Sequence, residues 1–158
     1  MKFITPFVAP LIVALSALAA EIEPVTFDNT FDNPAGSLDS VACSTGTNGL
    51  ITKGFETFGQ LPTFPNIGGG QAVAGFNSVN CGSCWLLQFD NNTIFVTLVD
   101  TAAEGFNIAE EAMNTLTNGQ AAALGKVNVT TLQVAVANCG ISDRGPGVEP
   151  GLPAPSST

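Results

Sequence analysis

The hydrophobic pattern of the chain changes period only once. Trp85-Leu86-Leu87-Gln88-Phe89 and Thr93-Ile94-Phe95-Val96-Thr97-Leu98-Val99 are apolar runs rich in β-branched and aromatic residues, and Asp90-Asn91-Asn92 separates them. Asn and Asp tolerate the positive φ of a tight turn, so the pattern predicts a β-hairpin. Thr131 to Ala137 alternates and predicts a strand with Leu132, Val134 and Val136 on one face. Pro24 to Asp28 reads as a further strand. Ile108, Ala109, Ala112, Met113 and Leu116 instead recur at helical spacing. Asn107 with Glu110 predicts a capping box at the start of that helix, and Asn118-Gly119 its stop. Gly54 to Gly75, rich in glycine, proline and phenylalanine, reads as loops over a small barrel. The expected fold class is therefore mainly β with short helices.

The two ends do not follow this pattern. Met1-Lys2 precedes an apolar stretch from Phe3 to Leu18, and Ala17-Leu18-Ala19 fits the small-x-small cleavage pattern of a secretory signal. The stretch is short, contains Pro6 and Pro10, and runs into Glu21 and Glu23, which argues against a membrane anchor. Residues 1–19 are thus expected to be a signal peptide and 20–141 the folded domain. Residues 142–158 carry four of the ten prolines and no apolar periodicity, and read as a Pro/Ser-rich disordered tail. The expected destination is extracellular.

Composition then removes whole classes of function. The 158 residues include 13 acids, 4 bases, no histidine and no tyrosine, for a formal charge of −9. An acidic chain without a basic run is a poor partner for nucleic acid or an anionic membrane. Without histidine there is no Ser-His-Asp or Cys-His nucleophile and no histidine-ligated metal. Cys81-Gly82-Ser83-Cys84-Trp85 mimics the surroundings of a papain-type nucleophile, but no base is present to activate it. Zinc would need a second close cysteine pair, whereas Cys43 and Cys139 stand alone. Export therefore predicts two structural disulfides; spacing leaves all three pairings of four cysteines open. Gly68-Gly69-Gly70 lacks the Gly-Lys-Ser/Thr that a phosphate loop requires. No metal or cofactor is expected.

A series of motifs resembles the cerato-platanin family. It comprises Ser40-Val41-Ala42-Cys43-Ser44, Thr47-Asn48-Gly49-Leu50-Ile51-Thr52-Lys53-Gly54, Leu61-Pro62-Thr63-Phe64-Pro65-Asn66-Ile67-Gly68-Gly69 and Ala74-Gly75-Phe76-Asn77-Ser78. Cys81-Gly82-Ser83-Cys84-Trp85, Gly105-Phe106-Asn107-Ile108 and Ala112-Met113-Asn114-Thr115-Leu116-Thr117 continue it. Ala123-Leu124-Gly125-Lys126-Val127-Asn128-Val129 and Asn138-Cys139-Gly140 complete it, essentially without gaps over residues 25–141. The resemblance implies a six-stranded double-psi β-barrel, as in expansins, with Cys43 paired to Cys81 and Cys84 to Cys139. It also implies a small secreted fungal protein of the wall and medium that binds chitin (N-acetylglucosamine) oligomers and loosens polysaccharide without hydrolysing it. Such proteins gather at air–water surfaces and elicit plant defence.

The chain departs from the family pattern in three ways. Phe27, Phe55 and Phe76 stand where tyrosine is usual, and the tail beyond Ile141 is longer than the family's. Asn91-Asn92-Thr93 and Asn128-Val129-Thr130 are glycosylation sequons, making Asn91 and Asn128 candidate acceptors.

The candidate carbohydrate-binding residues are Asp100, Asn107 and Asp28. Asp100 ends an apolar run, shares the facing of Ile94, Val96 and Leu98, and is expected at the barrel rim. The resemblance puts it at the acidic position of expansin-like barrels and makes Asn107 a sugar-facing amide, a role that competes with helix capping. Asp28, on the first strand, is expected to reach the same groove, while Trp85 reads as core. Glycoside hydrolysis needs two carboxyl groups flanking the bond, and Asp100 has no obvious partner, so a non-enzyme is expected. The alternatives are a surface-active, self-assembling protein, suggested by low charge density and eleven phenylalanines, or a weak glycoside hydrolase.

Overall fold

The computed structural model describes residues 20–141; the segments assigned above to a signal peptide, 1–19, and to a tail, 142–158, lie outside the described residues. Six strands, β1 (Glu21–Phe27), β2 (Ile67–Gly70), β3 (Cys84–Phe89), β4 (Asn92–Thr101), β5 (Phe106–Ile108) and β6 (Val127–Val134), are joined by two helices, α1 (Glu110–Thr117) and α2 (Ala121–Leu124). The strands close into a barrel in the order β1-β5-β2-β4-β3-β6. Pairs β1/β5 and β2/β4 are parallel and the others antiparallel. Closure leaves no free sheet edge. The predicted hairpin is β3–β4, with Phe89 opposite Asn92 and Asp90 at φ 50° in the turn.

Strand β2 escapes a periodicity reading because three of its four residues have no side chain. Its glycines are a packing requirement. A Cβ on Gly68 would overlap the carbonyl of Asn107 and Cα of Ile108; one on Gly69 would overlap the carbonyl of Thr101, and one on Gly70 the Leu98 side chain. The first two obstacles are backbone, which no rotamer change can clear.

Two further expectations are corrected. In β6 the buried residues are Val127, Val129 and Thr131, the opposite face from Leu132 and Val134. Register decides the matter: Val127 lies opposite Val25 and Thr131 opposite Leu87, both fully buried. Val136 is already in a 3-10 turn, Val136–Cys139. Asn107 does not cap the helix, because it is the central residue of β5. Helix α1 begins at Glu110, and the Asp32 carboxylate accepts from the amides of Glu110 and Glu111 at 3.0 and 2.9 Å. This cap comes from far along the chain and suits the positive end of the helix dipole. Asn118 ends the helix at φ 55°, as expected.

The disulfides join Cys43 to Cys81 and Cys84 to Cys139, the pairing implied by the resemblance. Closing stretches of 38 and 55 residues, each stabilises by about 2–4 kcal/mol, largely by restricting the unfolded chain. The barrel interior, the inner face of α1 and the long β1–β2 connection share one core. That connection contributes Phe31, Leu38, Leu50, Phe55, Phe58 and Leu61, all buried.

Gly69→Ala is expected to lower stability by about 1–3 kcal/mol through overpacking against backbone. Denaturant unfolding checks this, and an unchanged midpoint would refute the close approach of β2 and β4.

Candidate functional site

The outer face of β1 and β5 forms the floor of an open groove of about 420 Å³. Pro24, Thr26, Thr101, Ala102, Ala103, Glu104, Asn107 and Lys126 line it. Val25 and Phe106 point into the barrel, so strand alternation turns Thr26 and Asn107 outward, directly opposite each other. Thr26 Oγ1 donates to Asn107 Oδ1 at 2.9 Å. That bond fixes the amide and engages its acceptor, leaving the NH2 donors without a protein partner among the described residues. The β4–β5 connection, Ala102 to Gly105, forms the opposite wall, and Gly105 sits at φ 49° against the carbonyl of Pro24. Lys126 and Glu104 form an exposed ion pair at 2.9 Å, which closes the rim. Its contribution to stability is about 0–1 kcal/mol.

The three candidates separate at this level. Asn107 lines the groove. Asp100 does not, although register brings it near: Gly69 of β2 lies opposite Asn107 on one side and opposite Asp100 on the other. Two strand spacings, about 10 Å, thus separate Asp100 from Asn107. Gly68 pairs with Leu98 but Gly69 with Asp100, so Val99 is an extra residue in β4; the register shift breaks the alternation before Asp100, which is not a simple continuation of the Ile94, Val96, Leu98 row. Its Oδ1 accepts from the amides of Ala42 and Thr101, at 3.0 and 2.8 Å, and holds the groove residue Thr101 to the loop that contains Cys43. Asp28 is exposed just past β1, outside the groove, and accepts from the Thr30 amide at 2.8 Å. That backbone bond holds its carboxyl below the ordinary value of 3.8.

Trp85 packs edge-on against Phe106, with ring centroids 5.3 Å apart, and donates to Ser83 Oγ at 3.0 Å. It is partly buried and packs against the core. Sequence reasoning missed Thr26, Thr101, Glu104 and Lys126. The outward, polar Thr26 in the run Pro24-Val25-Thr26-Phe27 was the one signal available for them.

The cerato-platanin family model matches residues 23–141. The chain belongs to the cerato-platanin family. It is 51% identical over 144 residues to the "Allergen Asp f 15 homolog" of Arthroderma benhamiae, covering 89% of this chain and 70% of that protein. It is 36% identical over 141 residues to cerato-platanin of Ceratocystis fimbriata f. sp. platani, covering 88% and 96%. Among solved structures, cerato-platanin 2 of M. perniciosa superposes with a TM-score of 0.75 at 46% identity, over 77% of this chain and 100% of that one. The solution structure of the fungal elicitor cerato-platanin gives 0.67 at 37% identity, over 73% and 95%. The closed six-stranded barrel and its two disulfides are thus those of a cerato-platanin.

Because the folded-state pKa of Asp28 is depressed, its contribution to stability is present above the unfolded value and lost as pH falls through the folded one. Asp28→Ala is expected to cost about 0.5–2 kcal/mol at neutral pH. The two proteins should converge progressively below about pH 4. Urea unfolding at several pH values reads this, and a difference independent of pH would remove the carboxylate from the account.

Proposed function

We propose that this protein is a secreted, non-hydrolytic cerato-platanin that binds N-acetylglucosamine oligomers of chitin in the groove, works at the cell wall and is perceived by plants as an elicitor of defence. The observation that carries the reading is the chemistry of the floor. Thr26, Thr101 and the Asn107 amide are neutral hydrogen-bonding groups set on β-strands or a strand end. Hydroxyl and acetamido groups of a neutral sugar call for such partners, and the groove is open to solvent. Glu104 is the one carboxylate among the lining residues, and it is paired with Lys126. A lone, ion-paired acid supports binding and hydrogen-bond disruption over hydrolysis, which uses two carboxyl groups. Membership of the family supports the wall location, and the relative described as a fungal elicitor supports the signalling role.

A second reading, activity at apolar interfaces, is favoured by Ile22, Phe76 and Val79, which are 78%, 66% and 84% exposed. Lowering of surface tension that survives Asn107→Ala but falls with Phe76→Ser and Val79→Ser would separate it from sugar binding.

Calorimetric titration with the chitin tetramer is expected to give saturable heat with a dissociation constant in the micromolar to millimolar range. Loss of about 1 kcal/mol per hydrogen bond predicts a several-fold weakening in Asn107→Ala. Asp100→Asn keeps an acceptor for the Ala42 and Thr101 amides and should bind nearly as the parent does. The recovered sugar should show no new reducing ends. New ends would make the protein a hydrolase, and absence of heat would sink the chitin reading.

A further inference from the structure

We propose that an N-linked glycan on Asn128 lies over the groove and competes there with free oligosaccharide, so that glycosylation sets how much of the protein can bind chitin. The proposal rests on the groove being the sugar site. In Asn128-Val129-Thr130, Asn128 and Thr130 are exposed while Val129 between them is 2% exposed. Strand alternation therefore puts the acceptor amide and the threonine hydroxyl together on the outer face of β6. Asn128 lies directly opposite Pro24, a groove residue. Lys126, also in the groove, immediately precedes β6 and stands two residues before Asn128, within about 7 Å along the chain. The groove's Lys126 and Glu104, paired with each other, are exposed. Asn91 differs: it sits in the β3–β4 turn, and β6 separates that hairpin from Pro24.

Chemistry supplies the occupant. The first sugars of an N-linked glycan are N-acetylglucosamine units, which are also the repeat of chitin. A glycan anchored at the rim meets the floor as an intramolecular ligand. A short flexible tether gives an effective concentration on the order of millimolar. Against a groove affinity of about 0.1 mM, this tethered sugar would weaken apparent binding of free oligomer roughly tenfold or more.

The test uses the full chain exported from a eukaryotic secretory host. The Asn91→Gln protein retains the Asn128 sequon alone, and Asn91→Gln with Thr130→Ala retains neither. Mass spectrometry of the peptide bearing Asn128 reads occupancy. Titration with N-acetylglucosamine tetramer should show at least tenfold weaker binding by the glycosylated form. Nuclear Overhauser contacts should link glycan acetyl methyls to the Ala102 and Ala103 methyls. An unmodified Asn128, equal affinities, or glycan contacts confined to β6 would each overturn the proposal. If the Thr130→Ala protein binds no tetramer, the groove reading itself fails and competition with it; the methyl contacts then decide separately where the glycan lies.

Discussion

Strand β2 joins the two halves of the barrel, and it fits only because it lacks side chains. It pairs with β5 on one side and β4 on the other, and Gly68 and Gly69 lie where a single Cβ would strike the backbone of Asn107, Ile108 or Thr101. Close backbone approach of this kind usually marks a ligand or another chain segment, and here it is the latter. The consequence reaches the surface. Because Gly69 lies opposite both Asn107 and Asp100, the width of this bare strand sets how far apart the two polar positions stand. A side chain at Gly69 would disturb the floor and the Thr101 wall of the groove together with the fold.

The acidity of the chain takes on a different meaning once its partners are named. Asp28 accepts from the Thr30 amide, Asp32 from two amides of α1, and Asp100 from those of Ala42 and Thr101. Buried Glu23 accepts from the Gln71 side chain and from Thr131 Oγ1, and Gln71 in turn accepts from the Gly105 amide. These carboxylates satisfy donors that a small barrel with long connections would otherwise leave exposed at its turns, and bonds from an amide to a charged acceptor are stronger than neutral ones. A net negative charge is thus partly a by-product of how the loops are held.

What the sequence made legible follows from how local each constraint is. The β3–β4 hairpin and the end of α1 at Asn118 could be read because neighbouring residues determine them. The start of α1 could not, since its cap, Asp32, arrives from across the molecule. The facing of β6 was misread because Leu132, Val134 and Val136 alternate as well as Val127, Val129 and Thr131 do, and only register with β1 and β3 selects between them. Strand β2 left no side-chain pattern to read. For the site, Asn107 was found and Thr26 was not, because the bond between them depends on a parallel pairing of strands far apart in sequence. The disulfide pairing came from the resemblance, as spacing alone distinguished none of the alternatives.

The commitment of the carboxylates also shapes what the groove can recognise. With Asp100 turned to backbone amides and Glu104 tied to Lys126, its floor is left with hydroxyls, an amide and the small side chains of Ala102 and Ala103. A cationic ligand would find little uncommitted charge there, and an anionic one would meet the field of an acidic protein. A neutral, hydroxyl-rich chain meets neither obstacle. Its binding energy would come from several hydrogen bonds, each worth about 1 kcal/mol after exchange with water. Any one contact in such a site is weak, so selectivity would rest on Thr26 and Asn107 being held in register by the strands beneath them.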